Sequence, residues 1–279
     1  MYESYYGLRE KPFALAPDPA FMYASRHHQF ALLMLEYAVM NRAGFALLTG
    51  EVGSGKTMLV RRLLGRLGDD ITVGLVANTN HHFGKLLQWI CQAFELPYRD
   101  QDDAALYQTF VDFLVRQYGE GRRVLLIVDE AQNLGAAMLE ELRVLSNVNA
   151  DQHLVLQTML VGQPELREAL RRRELRQFAQ RIGTDYHLPT LSMQETRQYV
   201  HHRLQVAGGD PELITTDAVD LVWTRTGGVP RLINQLCDTA LVYGFADQRA
   251  RIDLMLMAQV VEDRVAGGIF PAAAEPASV

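Results

Sequence analysis

The stretch Gly50-Glu51-Val52-Gly53-Ser54-Gly55-Lys56-Thr57 constrains this chain more than any other. It fills the pattern G-x-x-x-x-G-K-[ST] completely. Before it runs Gly44 to Thr49, an apolar segment that reads as a buried strand. After it runs Met58 to Leu67, which reads as a helix ended by Gly68. Strand, glycine-rich loop and helix together turn the pattern into a phosphate site. Glycines let successive backbone N–H groups face phosphate oxygens, and the helix N-terminus adds its positive dipole end. The pattern therefore predicts that Gly50, Glu51, Val52, Gly53, Ser54, Gly55, Lys56, Thr57 and Met58 hold a nucleotide. Lys56 is expected on the β- and γ-phosphates, and the Thr57 hydroxyl on Mg²⁺. A chance glycine-rich turn is the bland alternative, and the flanking strand and helix weigh against it.

A second motif supports the first. Arg123-Val124-Leu125-Leu126-Ile127-Val128-Asp129-Glu130 is an apolar strand that delivers two carboxylates at its end. Asp129 is expected to hold Mg²⁺, directly or through water, and Glu130 to orient and activate the water that attacks the γ-phosphorus. Alone, two acids after a strand also read as a solvated strand end. The next strand ends at Leu160-Val161-Gly162-Gln163-Pro164. Gln163 is placed to contact the γ-phosphate or the attacking water, or else to cap the helix that starts at Pro164.

The 279 residues suffice for one large or two modest domains. Hydrophobic content of 48% and charged content of 22% are those of an ordinary globular protein. No apolar run approaches the roughly 18 residues that span a bilayer. The opening Met1-Tyr2-Glu3-Ser4-Tyr5-Tyr6 is neither basic nor apolar, so no signal peptide is expected. Cys91 and Cys237 lie in apolar, helix-like segments and read as buried free thiols, consistent with a reducing cytoplasm. A net charge of −6 argues against a surface built wholly for nucleic acid. Arg171-Arg172-Arg173 and Arg61-Arg62 are candidate basic patches, although runs this short are usually solvated helix faces.

Residues 1–40 read as an N-terminal adjunct, turning at Pro12-Phe13 and Pro17-Asp18-Pro19 and then helical from His28 to Met40. Residues 41–189 alternate strands (Ile71–Ala77, Val124–Val128, Leu154–Val161, Thr184–Leu188) with helices (Phe83–Phe94, Ala104–Tyr118, Ala136–Leu145). This predicts a parallel sheet covered on both faces, with ligands at the carboxyl ends of its strands. Over residues 190–267 the strand signals stop. A capping box, Ser192-x-x-Glu195, opens a helix to about Val206, and Thr216–Thr226, Pro230–Tyr243 and Asp253–Arg264 read as three more. The expected class is α/β with a small all-α domain behind it, and residues 268–279, rich in Ala and Pro, are expected to be a flexible tail.

The order of P-loop, Asp-Glu box, polar strand end, arginine and helical lid resembles the AAA+ ATPases, a branch of the P-loop NTPases. More narrowly, the chain resembles the general secretion pathway protein A (ExeA/GspA) family, with its relatives in pilus and exosortase loci. Tyr5-Tyr6-Gly7-Leu8, Pro12-Phe13, His28-x-x-Ala31-Leu32 and Gly44-Phe45 carry the resemblance, with Thr49-Gly50-Glu51 and Asp129-Glu130-Ala131-Gln132. Gly162-Gln163-Pro164-Glu165-Leu166 and Gly227-Gly228-Val229-Pro230-Arg231 complete it, over roughly residues 1–265.

The resemblance implies further roles. Arg231 matches the sensor-2 arginine that touches the nucleotide of its own subunit. Arg181 matches the arginine finger offered to a neighbour's γ-phosphate, with Arg176 as the fallback. Asn78 matches the polar residue that restrains the catalytic glutamate, with Asn80 as the alternative. Tyr5, Tyr6, Pro12 and Phe13 either enclose the adenine or pack the adjunct. The pairs His27-His28, His81-His82 and His201-His202 are poor metal ligands, so Mg²⁺ with ATP is the only metal expected.

Longer members of the family continue into a membrane-spanning helix and a wall-binding region, and neither shows in this sequence. The chain is then expected to be either a short, purely cytoplasmic member or a piece of a longer one, and the resemblance implies a Mg²⁺-ATPase, cytoplasmic and peripheral at the inner membrane through a partner. It implies a homo-oligomer, as a ring, that drives or regulates an envelope secretion or pilus system. A DNA-dependent regulator of the transposition target-selection type and a slow nucleotide switch are the competing expectations.

Overall fold

A computed structural model describes residues 1–16, 18–77, 79, 84–150 and 153–268. Numbered in chain order, the elements begin with α1 (Tyr2–Tyr5), α2 (Arg26–Met40), β1 (Phe45–Gly50), α3 (Lys56–Leu64), β2 (Ile71–Val76), α4 (Leu86–Ala93) and α5 (Asp103–Gly119). There follow β3 (Arg123–Val128), α6 (Ala136–Leu145), β4 (Asn149–Ala150), β5 (His153–Leu154), β6 (Leu156–Gly162), α7 (Pro164–Leu170), α8 (Arg176–Ala179) and β7 (Ile182–Leu188). The last four are α9 (Met193–Val206), α10 (Thr216–Thr226), α11 (Pro230–Ala246) and α12 (Leu254–Ala266).

The described chain divides into two compact units. One gathers described residues of His28–Gly50 and Leu59–Leu188. The other gathers those of Met1–His27, Glu51–Met58 and Pro189–Val279.

The first unit is built on a five-stranded sheet in the order β2-β3-β6-β1-β7, parallel at every pairing. The central strands β1 and β6 are buried at every residue, and β3 at all but its first. Continuous burial means that both faces of the sheet are covered by helices, which is why these strands read as unbroken apolar runs. Their carboxyl ends, at Val76, Val128, Gly162, Gly50 and Leu188, share one edge. Register pairs such as Val76 with Val128 and Val128 with Leu160 set that edge.

On one face Phe94, the residue that ends α4, clusters with Phe110 and Phe113 of α5, ring centroids 5.0–6.2 Å apart. Gly74 of β2 makes room for them: a Cβ there would lie 2.6 Å from the Phe94 ring. The end of α2 is capped by side chains of the sheet. Gln157 donates to the carbonyls of Ala38, Val39 and Ala43, and Arg123 donates to that of Val39. These bonds satisfy helix-end acceptors that water would otherwise serve.

The second unit is a helical bundle of α9 to α12 around Leu204, Val222, Leu236, Leu241 and Val260. The Ser192–Glu195 capping box opens α9 as expected. The N-terminal segment belongs to this core. Tyr2, Leu8, Phe13 and Phe21 are buried in it, and Tyr2 donates to Asp238. Arg203 of α9 is 7% exposed. Among the described residues it has no carboxylate partner: it donates to the carbonyls of Pro12 and Ala14 and to the Tyr199 hydroxyl, and lies over the Phe21 ring at 4.9 Å. Burial pushes the Cys237 thiol up from its ordinary range, so it is an inert core group.

Most element boundaries fall within two residues of those expected. The strand read as Leu154–Val161 splits, with Leu154 in the short antiparallel pair β4-β5 and β6 starting at Leu156. The helix read from Phe83 begins at Leu86, and Phe83, like Pro17, lies outside the described residues.

Candidate active site

The phosphate-loop pattern folds as the chain predicts. It leaves β1 at Gly50 and enters α3 at Lys56, so Lys56 and Thr57 are the first residues of the helix rather than part of the loop. Gly53 and Gly55 adopt positive φ, 78° and 105°, which only glycine takes without strain. Ser54 and Lys56 are buried, while the Glu51, Val52 and Thr57 side chains are exposed. The Lys56 Nζ donates to the Glu51 carbonyl at 2.8 Å, folding the ammonium back over its own loop. An N-terminal helix turn, glycine-shaped backbone and an ammonium converge here. That donor set fits a phosphate group and offers nothing to a cation beyond the Thr57 hydroxyl.

Arg231, the second residue of α11, lies against this loop. Its backbone N–H donates to the Gly53 carbonyl at 3.3 Å, and a Cβ on Gly53 would meet the Arg231 Cβ at 2.4 Å. Gly53 is thus required twice, by its φ and by this approach. The turn that delivers Arg231 has a second close approach. Gly228, at φ 75°, accepts from Leu191 N–H at 2.9 Å, and a Cβ on it would fall 1.9 Å from the Leu191 oxygen. That oxygen accepts from the Trp223 indole at 3.0 Å.

In the other unit, β3 delivers Asp129 and Glu130 to the carboxyl edge of the sheet. Asp129 is 8% exposed. Its Oδ1 accepts from the Glu130 N–H at 2.9 Å, and its own N–H donates to the Val76 carbonyl at 2.9 Å. Glu130 sits in the left-handed region at φ 52°, ψ 36°, an uncommon place for a residue with a Cβ. Thr79, fully buried beyond the end of β2, donates to the Glu130 carbonyl at 2.8 Å and holds this turn.

The Glu130 carboxylate is engaged by two amides. Gln163 donates to its Oε2 from Nε2 at 3.0 Å, and Gln132 donates to the same oxygen. Gln132 in turn accepts from the Gln163 N–H at 3.1 Å. Gln163 is the N-cap residue of α7, yet its side chain makes no cap hydrogen bond. The capping alternative is therefore not realised, because the amide is spent on Glu130.

Arg181 is exposed and donates from Nη1 to the Ser146 hydroxyl at 2.9 Å and to the Arg143 carbonyl at 3.3 Å. Arg176 is exposed in α8. Asn78, Asn80, His81 and His82 lie outside the described residues. Pro12 and Phe13 are buried in the helical core, and Tyr5 packs edge-on to Phe245 at 5.6 Å, so these residues pack the N-terminal segment. Among the described residues no group of three His, Cys, Asp or Glu side chains is arranged to hold a metal ion.

Thr79 and Gln132 are the residues that motif reading passed over. Gln132 was visible only as the fourth letter of the Asp-Glu box. Thr79 carried no local signal, being defined by a partner on another strand.

A five-stranded parallel sheet with a phosphate loop after one strand and an acidic pair after another, followed in the chain by a helical bundle, defines the AAA class of P-loop proteins. The AAA domain family (AAA_22) matches residues 39–170. The chain carries that domain and is a relative of general secretion pathway protein A. The protein of that name from Aeromonas hydrophila is 43% identical over 247 residues, which is 88% of this chain and 45% of that protein. The chain thus spans less than half the length of this relative.

Solved structures of similar fold include the Aeropyrum pernix ORC2 protein in ADPNP and ADP complexes. It has a TM-score of 0.66 and 20% identity over 91% of this chain and 71% of that one. Cdc6p from Pyrobaculum aerophilum scores 0.64 at 16% identity, over 85% and 68% of the two chains. The RuvB branch-migration motor of Thermotoga maritima scores 0.51 at 18% identity, over 86% and 69%. At these identities the likeness is one of fold. Among the described residues no helix is long and apolar enough to cross a membrane.

Proposed function

We propose that this chain is a Mg²⁺-dependent ATPase that works as a homo-oligomer, as a ring, and drives or regulates an envelope secretion or pilus machine. The observation that carries the reading is the Glu130 carboxylate. It stands beside a buried Asp129 at the carboxyl edge of the sheet, turned by a left-handed backbone and held by two amides. A strand end that was merely solvated would need none of these. Gly50 to Met58 bind the nucleotide, with Lys56 on its phosphates. Thr57 and Asp129 hold the Mg²⁺, which neutralises charge on the phosphates when bound. Glu130 takes a proton from the attacking water, Gln163 stands beside both, and Arg231 reaches the nucleotide from the lid. Asn78 restrains Glu130, and Arg181 serves a neighbouring subunit.

ADPNP and ADP in the ORC2 relative support nucleotide binding, and the secretion protein of Aeromonas supports the pathway. The partner is an inner-membrane secretion or pilus component, and the chain works on the cytoplasmic side. The test is ATP turnover per subunit, with Mg²⁺, over a range of protein concentrations. Lys56→Ala is expected to abolish nucleotide binding and Glu130→Gln to retain bound ATP without turnover. Full turnover in Glu130→Gln overturns the reading.

A second reading rests on a separate observation. Arg171, Arg172, Arg173 and Arg176 are all exposed, and none has a carboxylate partner among the described residues. They suit a polyanion, as in a DNA-dependent regulator. An ATP-dependent, salt-sensitive shift of duplex DNA would favour that reading, and no shift at low salt would dispose of it.

A further inference from the structure

Two side-chain amides crowd the Glu130 carboxylate, and one of them, Gln132, belongs to neither the phosphate loop nor a strand end. It lies in the single 3-10 turn Ala131–Asn133 that follows the left-handed Glu130. Its side-chain oxygen accepts from the Gln163 N–H at 3.1 Å. A backbone N–H can only donate, so this bond fixes which end of the amide is which. The NH₂ end must then face away from the β6 terminus, and it meets Glu130 Oε2. Gly162 keeps the space for this arrangement. A Cβ there would stand 3.0 Å from the Gln132 oxygen and 2.7 Å from Leu166 Cδ2.

Both amide donors, from Gln132 and Gln163, fall on the same carboxylate oxygen, Oε2. Among the described residues no hydrogen bond to Oε1 is made. Among the described residues, then, one oxygen of the carboxylate is anchored twice and the other accepts no hydrogen bond.

We propose that Gln132 is a positioning residue for the hydrolysis assigned above. By anchoring Oε2 it fixes the Glu130 side chain so that Oε1 meets the attacking water. The inference rests on the ATPase reading. In the step it serves, the water oxygen forms a bond to the γ-phosphorus while the bond to the β–γ bridging oxygen breaks. The water proton passes to Oε1, and the nucleoside diphosphate leaves with the bridging electron pair. Gln132 touches neither water nor nucleotide and acts only through Glu130. A carboxylate with two oxygens free to exchange would present a correctly aimed base for a smaller fraction of the time.

The variants Gln132→Ala and Gln132→Met separate this role from packing, because Met keeps the length of the side chain and loses the donor. Both are expected to lower kcat about 10-fold with KM within about 2-fold. Three further readouts accompany the rates. In a Glu130→Gln background, Gln132→Met is expected to cause no additional loss of the residual rate. ATP retention by Gln132→Met should match that of the unaltered protein. In the nucleotide-free protein, the Gln132 side-chain amide resonances should move on Glu130→Ala.

Full kcat in Gln132→Ala, rescue by Met, a faster rate in either variant, or amide resonances indifferent to Glu130→Ala would each overturn the proposal. Failure of the underlying reading looks different. There the unaltered protein shows no turnover that Glu130→Gln abolishes, and both proposals fall together.

Discussion

Gly228 offers the sharpest test of how the turn before α11 is held. At φ 75° an alanine would suffer the left-handed penalty of about 1–2 kcal/mol. Its Cβ would also fall 1.9 Å from the Leu191 oxygen, 2.8 Å from the Leu191 carbon and 3.0 Å from its nitrogen. These are backbone atoms, so the clash cannot be relieved by turning a side chain. The segment before α9 must move, and two bonds go with it: Leu191 N–H to the Gly228 carbonyl, and the Trp223 indole to the Leu191 carbonyl. Each is worth about 1 kcal/mol net. Together Gly228→Ala is expected to cost about 3–4 kcal/mol, or a fall in Tm on the order of 10 °C.

Trp223 is one of two tryptophans in the chain, so in a Trp89→Phe background its fluorescence follows this turn alone. Gly7→Ala is the control. Gly7 lies in the same unit at φ 68°, and a Cβ there meets nothing within 4 Å. It should cost only the backbone penalty. Because Arg231 follows the turn directly and lies on the P-loop, Gly228→Ala should also weaken ATP binding by about 10-fold or more, a loss on the order of 1.4 kcal/mol. If Gly228→Ala and Gly7→Ala unfold at the same denaturant concentration, the close approach carries no energy and the reasoning fails.

Other consequences follow from single contacts. Gly74→Ala should overpack the face that holds Phe94 and cost about 1–3 kcal/mol, read from Trp89 fluorescence in urea. An unchanged midpoint would show that the aromatic cluster can shift freely. Arg203→Met should strip the carbonyls of Pro12 and Ala14 of their buried donor, at roughly 3 kcal/mol, and expose the first 27 residues to limited proteolysis. Resistance equal to that of the unaltered protein would count against Arg203 as the clasp.

Burial, and then the Asp103 charge, hold the Glu141 carboxyl above its usual range. A carboxyl raised on folding favours the native state while protonated and loses that contribution as pH climbs through its folded pKa. Glu141→Gln should therefore raise stability slightly at pH 7, by about 0.5 kcal/mol or less in this half-exposed position, read as a small rise in Tm. The gain should vanish as pH falls through the carboxylate range, and a gain that persists there would refute the cause.

What could be read from the sequence divides along a physical line. The strands and the loop between Phe45 and Thr57 were legible because continuous burial and a glycine-shaped turn each demand a local residue pattern. The positions of Lys56 at the start of α3, and of Asp129 and Glu130 just past β3, were legible for the same reason. The partners of Glu130 were not. Thr79 and Glu130 are 51 positions apart, and Gln163 reaches Glu130 across 33, so no local pattern links them. Nor does any pattern forecast that Glu130 takes a left-handed backbone, which is what turns its carboxylate toward the two amides. The grouping of the first residues with the lid has the same character. Arg203 meets Pro12 across 191 positions. The β4-β5 pair escaped notice because two-residue strands have no periodicity to detect.

The proposed trans arginine is where sequence and structure bear on each other most directly. Arg181 matches the family position, and it is already held, through one hydroxyl and one carbonyl at the end of α6. Arg176 is exposed, with no hydrogen bond or ion pair to its side chain among the described residues. A finger works by stabilising transition-state charge, so it gains from being fixed before the charge develops. The tether favours Arg181 on that ground. Its two bonds, one exposed and one half-buried, are to neutral acceptors and weak beside a charge-assisted contact to phosphate oxygens, so they do not trap it.

Arg181→Ala is therefore expected to remove the part of ATP turnover that rises with protein concentration, by about 10³-fold, and Arg176→Ala to leave it within about 3-fold. Ser146→Ala, which loosens the tether without touching the charge, should cost only about 2- to 3-fold, as expected for losing on the order of 0.5 kcal/mol of preorganisation. Turnover that collapses in Arg176→Ala and survives in Arg181→Ala would move the finger to α8. A rate per subunit that is flat across concentration would remove the trans arginine altogether, because each subunit would then complete its own site.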